Sequence, residues 1–157
     1  MYNIGDKIVY PMHGAGKIKD IEEKEILGEK QSYFIMNIPH GDMEIMIPVN
    51  TIDDIGIRNV IPKEKMKDVI AVLSAPSSEM PANWNHRNRE NMEKLKTGDI
   101  FCVAEVVRNL TRIEREKHLS TGEKKMLSNA KQILSSEIIL VTGSTKEEAE
   151  QMIDDAV

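Results

Sequence analysis

Trp84 is the only tryptophan in the chain, and two arginines, Arg87 and Arg89, follow it within five positions. At about 100° per residue its helix face also carries Asn88, so no apolar stripe continues from the ring. An indole combines a large apolar surface with one N–H donor, and guanidinium groups are common partners of phosphates. This combination suits a side chain that enters DNA beside a base step while cations hold the backbone. An ordinary packed tryptophan is the alternative.

The net charge of −5 is unevenly distributed along the sequence. Residues 1–61 have a charge balance of −4, and the last fifteen residues have the same balance. Residues 62–142, which contain Trp84, carry 14 basic and 11 acidic residues. Their excess of +3 is too small to hold duplex DNA tightly by charge alone. The asymmetry favours separate partners for separate parts of the chain.

The composition indicates a globular, cytoplasmic protein. A hydrophobic fraction of 40% in 157 residues is enough for a core, and no apolar run approaches the ~20 residues of a membrane span. Residues 1–6 lack the basic-then-apolar pattern of a signal peptide. The single Cys102 cannot form an internal disulfide and is expected to be buried. We expect a monomer that does not contact membranes.

No catalytic or metal-binding constellation is visible in the sequence. The four histidines, His13, His40, His86 and His118, lie on different predicted elements. None of them has a cysteine or carboxylate at the spacing of a metal ligand. We therefore expect no metal, no cofactor and no enzymatic activity.

Short runs rich in Ile, Val, Tyr, Phe and Met predict strands in the first part of the chain. Turn-forming residues separate these runs, which cover residues 6–11, 16–22, 31–38, 43–49 and 56–61. Short, evenly spaced strands predict a small antiparallel barrel. The fourth run alternates imperfectly and could present Ile45 or Met46 outward as a docking contact, although a buried position is commoner.

From Pro62 the periodicity becomes helical, so the predicted class is α+β, with domains at residues 1–61 and 62–157. Helices are expected over 62–73, over 84–96 with Asn83 as N-cap, over 100–117, and from two capping-box spacings, at Ser120–Glu123 and Ser144–Glu147. The third helix carries basic residues interleaved with glutamates, a pattern typical of a solvated, ion-paired face. These basic residues are Arg108, Arg112, Arg115 and Lys117.

The sequence resembles the CarD/CdnL family of bacterial transcription regulators over nearly its whole length. The matching stretches are 5–14, 83–84, 95–99, 103–108 and 119–127. The resemblance implies an N-terminal Tudor-like barrel that binds the RNA polymerase β subunit. It also implies an all-α C-terminal bundle that contacts promoter DNA, weakly and without strong sequence specificity, at the upstream edge of the transcription bubble. There Trp84 would wedge into the minor groove while nearby basic residues hold phosphates.

Three positions matter when the family's sites are carried onto this chain. Relatives carry basic residues on the barrel at positions matching Lys24 and Met46; Lys24 keeps the charge and Met46 replaces it with an apolar contact. His86 stands where a relative can carry arginine, which implies a weaker and more pH-sensitive grip on DNA. The expected DNA-binding residues are Trp84, His86, Arg87 and Arg89, and the expected polymerase-binding residues are Lys24, Ile45 and Met46.

The expected function is therefore that of a non-enzymatic, nucleoid-associated factor. Its barrel would tether the weakly basic bundle near the promoter and so raise its effective concentration, and Trp84 would stabilise the open complex. The alternative is a protein–protein adaptor in which Trp84 is a hot spot for another protein. Phosphate contacts predict a steep loss of DNA binding with salt, and the adaptor predicts none.

Overall fold

The computed structural model describes residues 2–157, so Met1 of the predicted first domain lies outside the described residues. The N-terminal part forms one antiparallel sheet with the strand order β4-β3-β2-β1-β5. Its strands are β1 (Lys7–Tyr10), β2 (Gly14–Ile26), β3 (Glu29–Ile38), β4 (Met43–Pro48) and β5 (Arg58–Asn59). A helical part follows. The predicted class, a small antiparallel β structure before a helical bundle, is confirmed.

The inner face of the sheet holds its own hydrophobic core because apolar residues alternate along the central strands. Its fully buried members include Ile8, Ile18, Phe34, Met36 and Ile47. The opposite face of β3 carries Tyr33 and Ile35, which pair with Pro48 and Met46 of the edge strand β4. The sheet therefore presents an apolar strip on its outer side as well as a core on its inner side.

Two strand bounds differ from the prediction. β2 runs four residues beyond its predicted end and pairs with β3 around Leu27 and Gly28, whose φ values are 54° and 81°. All residues from 19 to 30 are exposed, so this hairpin extends past the core and lacks the alternation that marks a half-buried strand. β5 covers two residues rather than six. A short helix, α1 (Ile52–Ile55), precedes it and ends at the left-handed Gly56 (φ 87°).

The second part consists of five helices around a second hydrophobic core. They are α2 (Met66–Ser74), α3 (Trp84–Lys96), α4 (Ile100–Glu116), α5 (Thr121–Thr142) and α6 (Lys146–Ala156). Val103, Val107 and Leu110 of α4 lie at helical spacing and pack in this core with Leu134 and Ile138 of α5. The predicted bundle and its helices are present. The terminal capping box lies one residue later than predicted, at Thr145 and Glu148.

The arginines of α4 do not form the solvated, ion-paired face that their spacing suggested. Arg108 donates to the Val72 carbonyl at 2.9 Å, and Arg112 donates to that of Ala75 at 2.7 Å. Arg115 donates to the carbonyls of Asp154 and Val157 at 3.0 and 3.1 Å. These carbonyls end α2 and α6, where a helix has unpaired acceptors and a partial negative charge. Burial lowers the pKa of the Arg108 guanidinium. Together the three arginines connect α4 to the C-terminal ends of α2 and α6.

Helix α5 also joins the helical part to the sheet. Ser136 accepts a hydrogen bond from the Ala15 N–H at 2.8 Å, and a Cβ at Gly14 (φ +119°) would lie 2.8 Å from the Ser136 hydroxyl. Glu137, 3% exposed, binds two guanidinium nitrogens of Arg58 at 2.8 and 2.9 Å. Arg58 also donates to the Gly98 carbonyl. Buried polar contacts of this kind fix the relative placement of the two parts.

Candidate functional site

Trp84 is the first residue of α3, and its ring is held by the turn that begins α5. Asn83 caps α3 by accepting a hydrogen bond from the His86 N–H. The indole N–H of Trp84 donates to the Ser120 hydroxyl at 3.0 Å, and the ring edge passes over Gly122, where an added Cβ would lie 3.5 Å from it. The side chain is nevertheless 43% exposed. The structure thus fixes the orientation of a large apolar ring that solvent still reaches.

Ser120 and Glu123, which the sequence suggested only as a helix cap, also connect Trp84 to Arg87. Ser120 accepts from the Glu123 N–H at 3.2 Å, as an N-cap should. The Glu123 carboxylate does not complete the capping box. It accepts two hydrogen bonds from Arg87, both of 2.8 Å. This pairing raises the pKa of Arg87, chiefly through the hydrogen bond to Glu123.

Arg87, expected to contact a phosphate, has a partner within the protein, and its contact with DNA stays a prediction. Its side chain is mostly buried, and its Nε and Nη2 atoms both bind Glu123, itself 3% exposed. The sequence showed only Glu90 near the two arginines, because Glu123 lies on another helix. Releasing Arg87 for a phosphate would leave a buried carboxylate without its partner, which is costly. The pair with Glu123 holds α3 against α5.

The other two residues expected to contact DNA, His86 and Arg89, remain at the surface in the first two turns of α3. His86 is exposed, and its imidazole lies 3.6 Å from Glu90 on the next turn of α3. Arg89 is exposed, and no salt bridge involves it within the part of the chain that the structure describes. Of the four residues expected to contact DNA, Trp84, His86 and Arg89 are exposed in the first two turns of α3, but at helical spacing His86 and Arg89 lie roughly 140° to 160° around the helix axis from Trp84. Their contact with DNA stays a prediction.

A groove of about 590 Å³ opens beside Trp84 between α3 and α5. We call it the α3–α5 groove. One side carries Trp84, Asn88, Met92 and Leu95, which repeat at helical spacing on α3; the other carries Gly122, Lys125, Met126, Ser128, Asn129 and Gln132 of α5. This side of α3 therefore faces the groove at Trp84 and Asn88 and passes into the hydrophobic core at Leu95.

The three residues expected to bind polymerase do not share one face of the sheet. Met46 pairs with Ile35 on the outer face and is 41% exposed. Lys24, exposed on the hairpin, pairs with Gln31 on the same side. Ile45 pairs with the fully buried Met36 and packs against the inner core. Of the two residues that could point outward, Met46 does so and Ile45 faces the inner core, because alternate residues of a strand face opposite sides; polymerase binding by either residue stays a prediction.

Two general properties bear on the class of protein. Within residues 2–157, no group of three His, Cys, Asp or Glu side chains is placed to hold a metal ion. No helix in that range is both long and apolar enough to cross a bilayer.

The chain matches known proteins along almost its whole length. A family model described as the CarD-like/TRCF RID domain matches residues 2–61, and one described as the CarD C-terminal domain matches residues 68–154. YdeB of Bacillus subtilis (strain 168), whose name describes it as a candidate transcription factor, is 43% identical over 148 residues, which cover 94% of this chain and 97% of YdeB.

A solution NMR structure of the 72-residue N-terminal domain of Myxococcus xanthus CarD is 29% identical. That match covers 38% of this chain and 79% of the CarD domain, with a TM-score of 0.33. The two family models and the relative from Bacillus subtilis describe a type of transcription regulator rather than a type of enzyme. The chain belongs to the CarD family, and it is a CarD-like transcription regulator related to proteins that interact with RNA polymerase.

Proposed function

We propose that the protein binds the RNA polymerase β subunit through its sheet and stabilises the open promoter complex with Trp84. The carrying observation is the exposed ring of Trp84, held in place by Ser120 and Gly122 at the start of a helix that also exposes His86 and Arg89 in its first two turns. Since Ser120 already accepts the indole N–H, the ring offers DNA an apolar surface and no free donor. Such a wedge enters the minor groove at the upstream bubble edge without reading base edges, which agrees with weak sequence preference.

Binding of the wedge is linked thermodynamically to opening of the promoter. A rigid wedge fits partly opened DNA better than closed duplex, and any difference in affinity shifts the equilibrium toward the open complex. A difference of about 1.4 kcal/mol corresponds to about a tenfold longer open-complex lifetime if it appears entirely in the closing rate. The helical part, residues 62–157, has a net charge of −1, so it needs a tether to stay on DNA, and binding to polymerase supplies it in the cytoplasm, at the nucleoid.

The outer face of the sheet supports the proposed polymerase contact. Tyr33, Ile35, Met46 and Pro48 form two cross-strand pairs on this face, and Lys24 lies on the same side of the hairpin. Tyr33 and Ile35 are already buried, so Met46 supplies most of the accessible apolar surface. An exposed apolar residue on the face of a sheet is a plausible anchor for a partner protein.

A pair of methionines on β4 provides a matched test of this contact. Met46 and Met43 are each 41% exposed, but they lie on opposite sides of the strand. We expect Met46→Asp to weaken binding to the isolated β subunit by about tenfold, because it removes a central apolar contact. Met43→Asp should leave the affinity within about twofold. Equal effects of the two substitutions in a titration would contradict the assignment of the outer face.

The wedge is tested by the lifetime of open promoter complexes formed by the cognate polymerase. Three samples are compared at matched saturation of polymerase: no factor, the unaltered protein, and Trp84→Ala. We expect a longer lifetime with the unaltered protein and loss of that gain in Trp84→Ala while polymerase binding survives. An unchanged lifetime despite demonstrated polymerase binding would remove the wedge mechanism.

The α3–α5 groove beside Trp84 also favours a second candidate, a protein–protein adaptor. In that case Trp84 and the apolar floor of the groove would anchor a segment of another protein. Salt separates the two functions, because displaced counterions make phosphate contacts weaken steeply as salt rises. Binding of a promoter fragment that does not weaken between 50 and 200 mM salt, or no binding at all, would favour the adaptor.

A further inference from the structure

The α3–α5 groove begins at the proposed wedge. Trp84 and Gly122 line one end of the groove, so a DNA group displaced by the Trp84 ring would lie next to that end. Leu95 and Met126, only 1% and 7% exposed, lie at the bottom of the groove, so its accessible apolar surface comes mainly from Trp84 and Met92. The groove is therefore continuous with the DNA contact proposed above and does not form a separate site.

The polar residues around the groove are amides rather than charged groups. Asn88, Asn129 and Gln132 each carry one acceptor and two donors, which can meet the edge of any nucleobase. Lys125 is the one cation among the lining residues, and none of those residues is acidic. In a chain with 26 acidic residues and a net charge of −5, this lining is distinctly suited to an anionic polymer. A nucleobase attached to a phosphate backbone has the matching chemistry.

We propose that the α3–α5 groove receives one unpaired nucleobase of the strand that Trp84 separates, with the base ring over the apolar floor and its edge against Asn88 and Asn129. Lys125, at the rim, attracts the adjoining phosphate. The inference rests on the proposed function, since only a wedge at the bubble edge would release a base at this point.

The groove would favour the open state by a route distinct from wedging. A base that has left its stack exposes an apolar face to water, and the groove covers that face again. In closed duplex the base is stacked and paired, so the groove has nothing to bind and contributes only after opening. Because an amide both donates and accepts, capture need not depend strongly on which base is present.

The experiment uses the full-length protein and the cognate polymerase on a set of promoter templates. In each template one nucleotide near the upstream bubble edge is replaced by an abasic site. The measured quantity is the ratio of open-complex lifetimes with and without the protein, so that any effect of the abasic site on polymerase alone cancels. The proteins compared are the unaltered chain, Trp84→Ala, and the double variant Asn88→Ala with Asn129→Ala. Asn85→Ala, an exposed asparagine of α3 that does not line the groove, is the matched control.

We expect one abasic position to lower the ratio about fivefold, and the double variant to lower it by a similar factor on normal DNA. On the template with that abasic site, the double variant should cause no further loss, because the two changes remove the same contact. Asn85→Ala should resemble the unaltered protein. Additive losses, or a ratio that no abasic site changes while Trp84→Ala still abolishes the gain, would overturn the groove inference and leave the wedge intact.

Two other outcomes also overturn the inference. A gain that survives Trp84→Ala would remove the proposed function together with the groove inference. Asparagine substitutions that weaken polymerase binding on every template alike would show that the groove holds a segment of protein.

Discussion

Arg87 and Glu123 form a bidentate pair, with Nε–Oε2 and Nη2–Oε1 distances of 2.8 Å, that joins the first turn of α3 to the first turn of α5. The same first turn of α5 presents Ser120 to the indole N–H of Trp84. The orientation of the exposed ring therefore depends on a buried ion pair that lies beside it. Substitutions can therefore distinguish the residues proposed to contact DNA from the residues that position them.

The two arginines after Trp84 should behave differently on substitution. Arg87→Leu leaves the buried Glu123 without a partner, and we expect it to lower the free energy of unfolding by about 2–3 kcal/mol. Arg89→Leu should change it by less than about 0.5 kcal/mol, because Arg89 is exposed. Urea denaturation followed by circular dichroism measures both values.

DNA binding should show the opposite pattern. Arg89→Leu should reduce the slope of log affinity against log salt by about 1, as expected for the loss of one phosphate contact. Arg87→Leu should leave this slope unchanged at a temperature where the variant stays folded. A stable Arg87→Leu protein with a reduced slope would show that Arg87 contacts phosphate.

Replacing Ser120 should change the surroundings of the Trp84 ring as well as the stability of α5. Ser120→Ala removes both the N-cap of α5 and the acceptor of the indole N–H, and we expect a loss of about 1 kcal/mol in stability. Because Trp84 is the only tryptophan, its fluorescence reports the change directly, and we expect a red-shifted emission. Thr145→Ala removes the N-cap of α6 and is the control. Identical emission in the two variants would contradict the positioning role.

The junction between sheet and helices should depend strongly on Glu137. Glu137→Ala removes the partner of Arg58 and the acceptor of the Ile61 N–H, and we expect destabilisation by about 3 kcal/mol. We also expect the unfolding of the two parts to separate in scanning calorimetry. Lys19→Ala, which removes the solvent-exposed pair with Glu44, should have almost no effect. A single transition at an unchanged temperature in Glu137→Ala would contradict this account of the junction.

Acid should weaken the turn that leads into Ser120. The pKa of Glu114 is lowered from its ordinary value of 4.5, chiefly because its carboxylate accepts a hydrogen bond from the Leu119 N–H. A lowered folded-state pKa contributes stability above the unfolded-state pKa, and this contribution disappears as the pH falls through the folded-state value. The unaltered protein should be more stable than Glu114→Gln at pH 7, and the difference should vanish in acid. A difference that stays constant from neutral pH to about pH 3 would contradict this prediction.

Local patterns in the sequence were sufficient to predict most helices, but they left open whether Trp84 is packed or exposed. The asparagine that follows it by one turn, Asn88, correctly indicated that no packed stripe continues from the ring. The partner of Arg87 could not be predicted, because Glu123 lies 36 residues away and its spacing from Ser120 already had a local explanation as a capping box. The arginines of α4 were misjudged for a similar reason, since their acceptors are carbonyls of distant helix ends.

In the sheet, alternation of apolar and polar residues indicates the buried face of some strands but not of others. In β4, Ile45 and Met46 have similar hydrophobicity, so their order alone did not reveal which one points inward. Pairing with β3 decides this, and pairing is a property of the assembled sheet. The end of β2 was missed because both faces of the hairpin are solvated, so its charged residues resemble a loop.

Helix α5 has a consequence for where along a promoter the protein can act. Its N-cap Ser120 holds the tryptophan, and Ser136 and Glu137 fix the same helix to the sheet. From Ser120 to Ser136 an α-helix rises about 24 Å, a length that cannot vary without breaking the helix. If the sheet binds polymerase and Trp84 enters DNA as proposed, this fixed length would set the distance between the polymerase and the point of insertion. Target choice would follow from the distance to the enzyme, with no operator sequence needed.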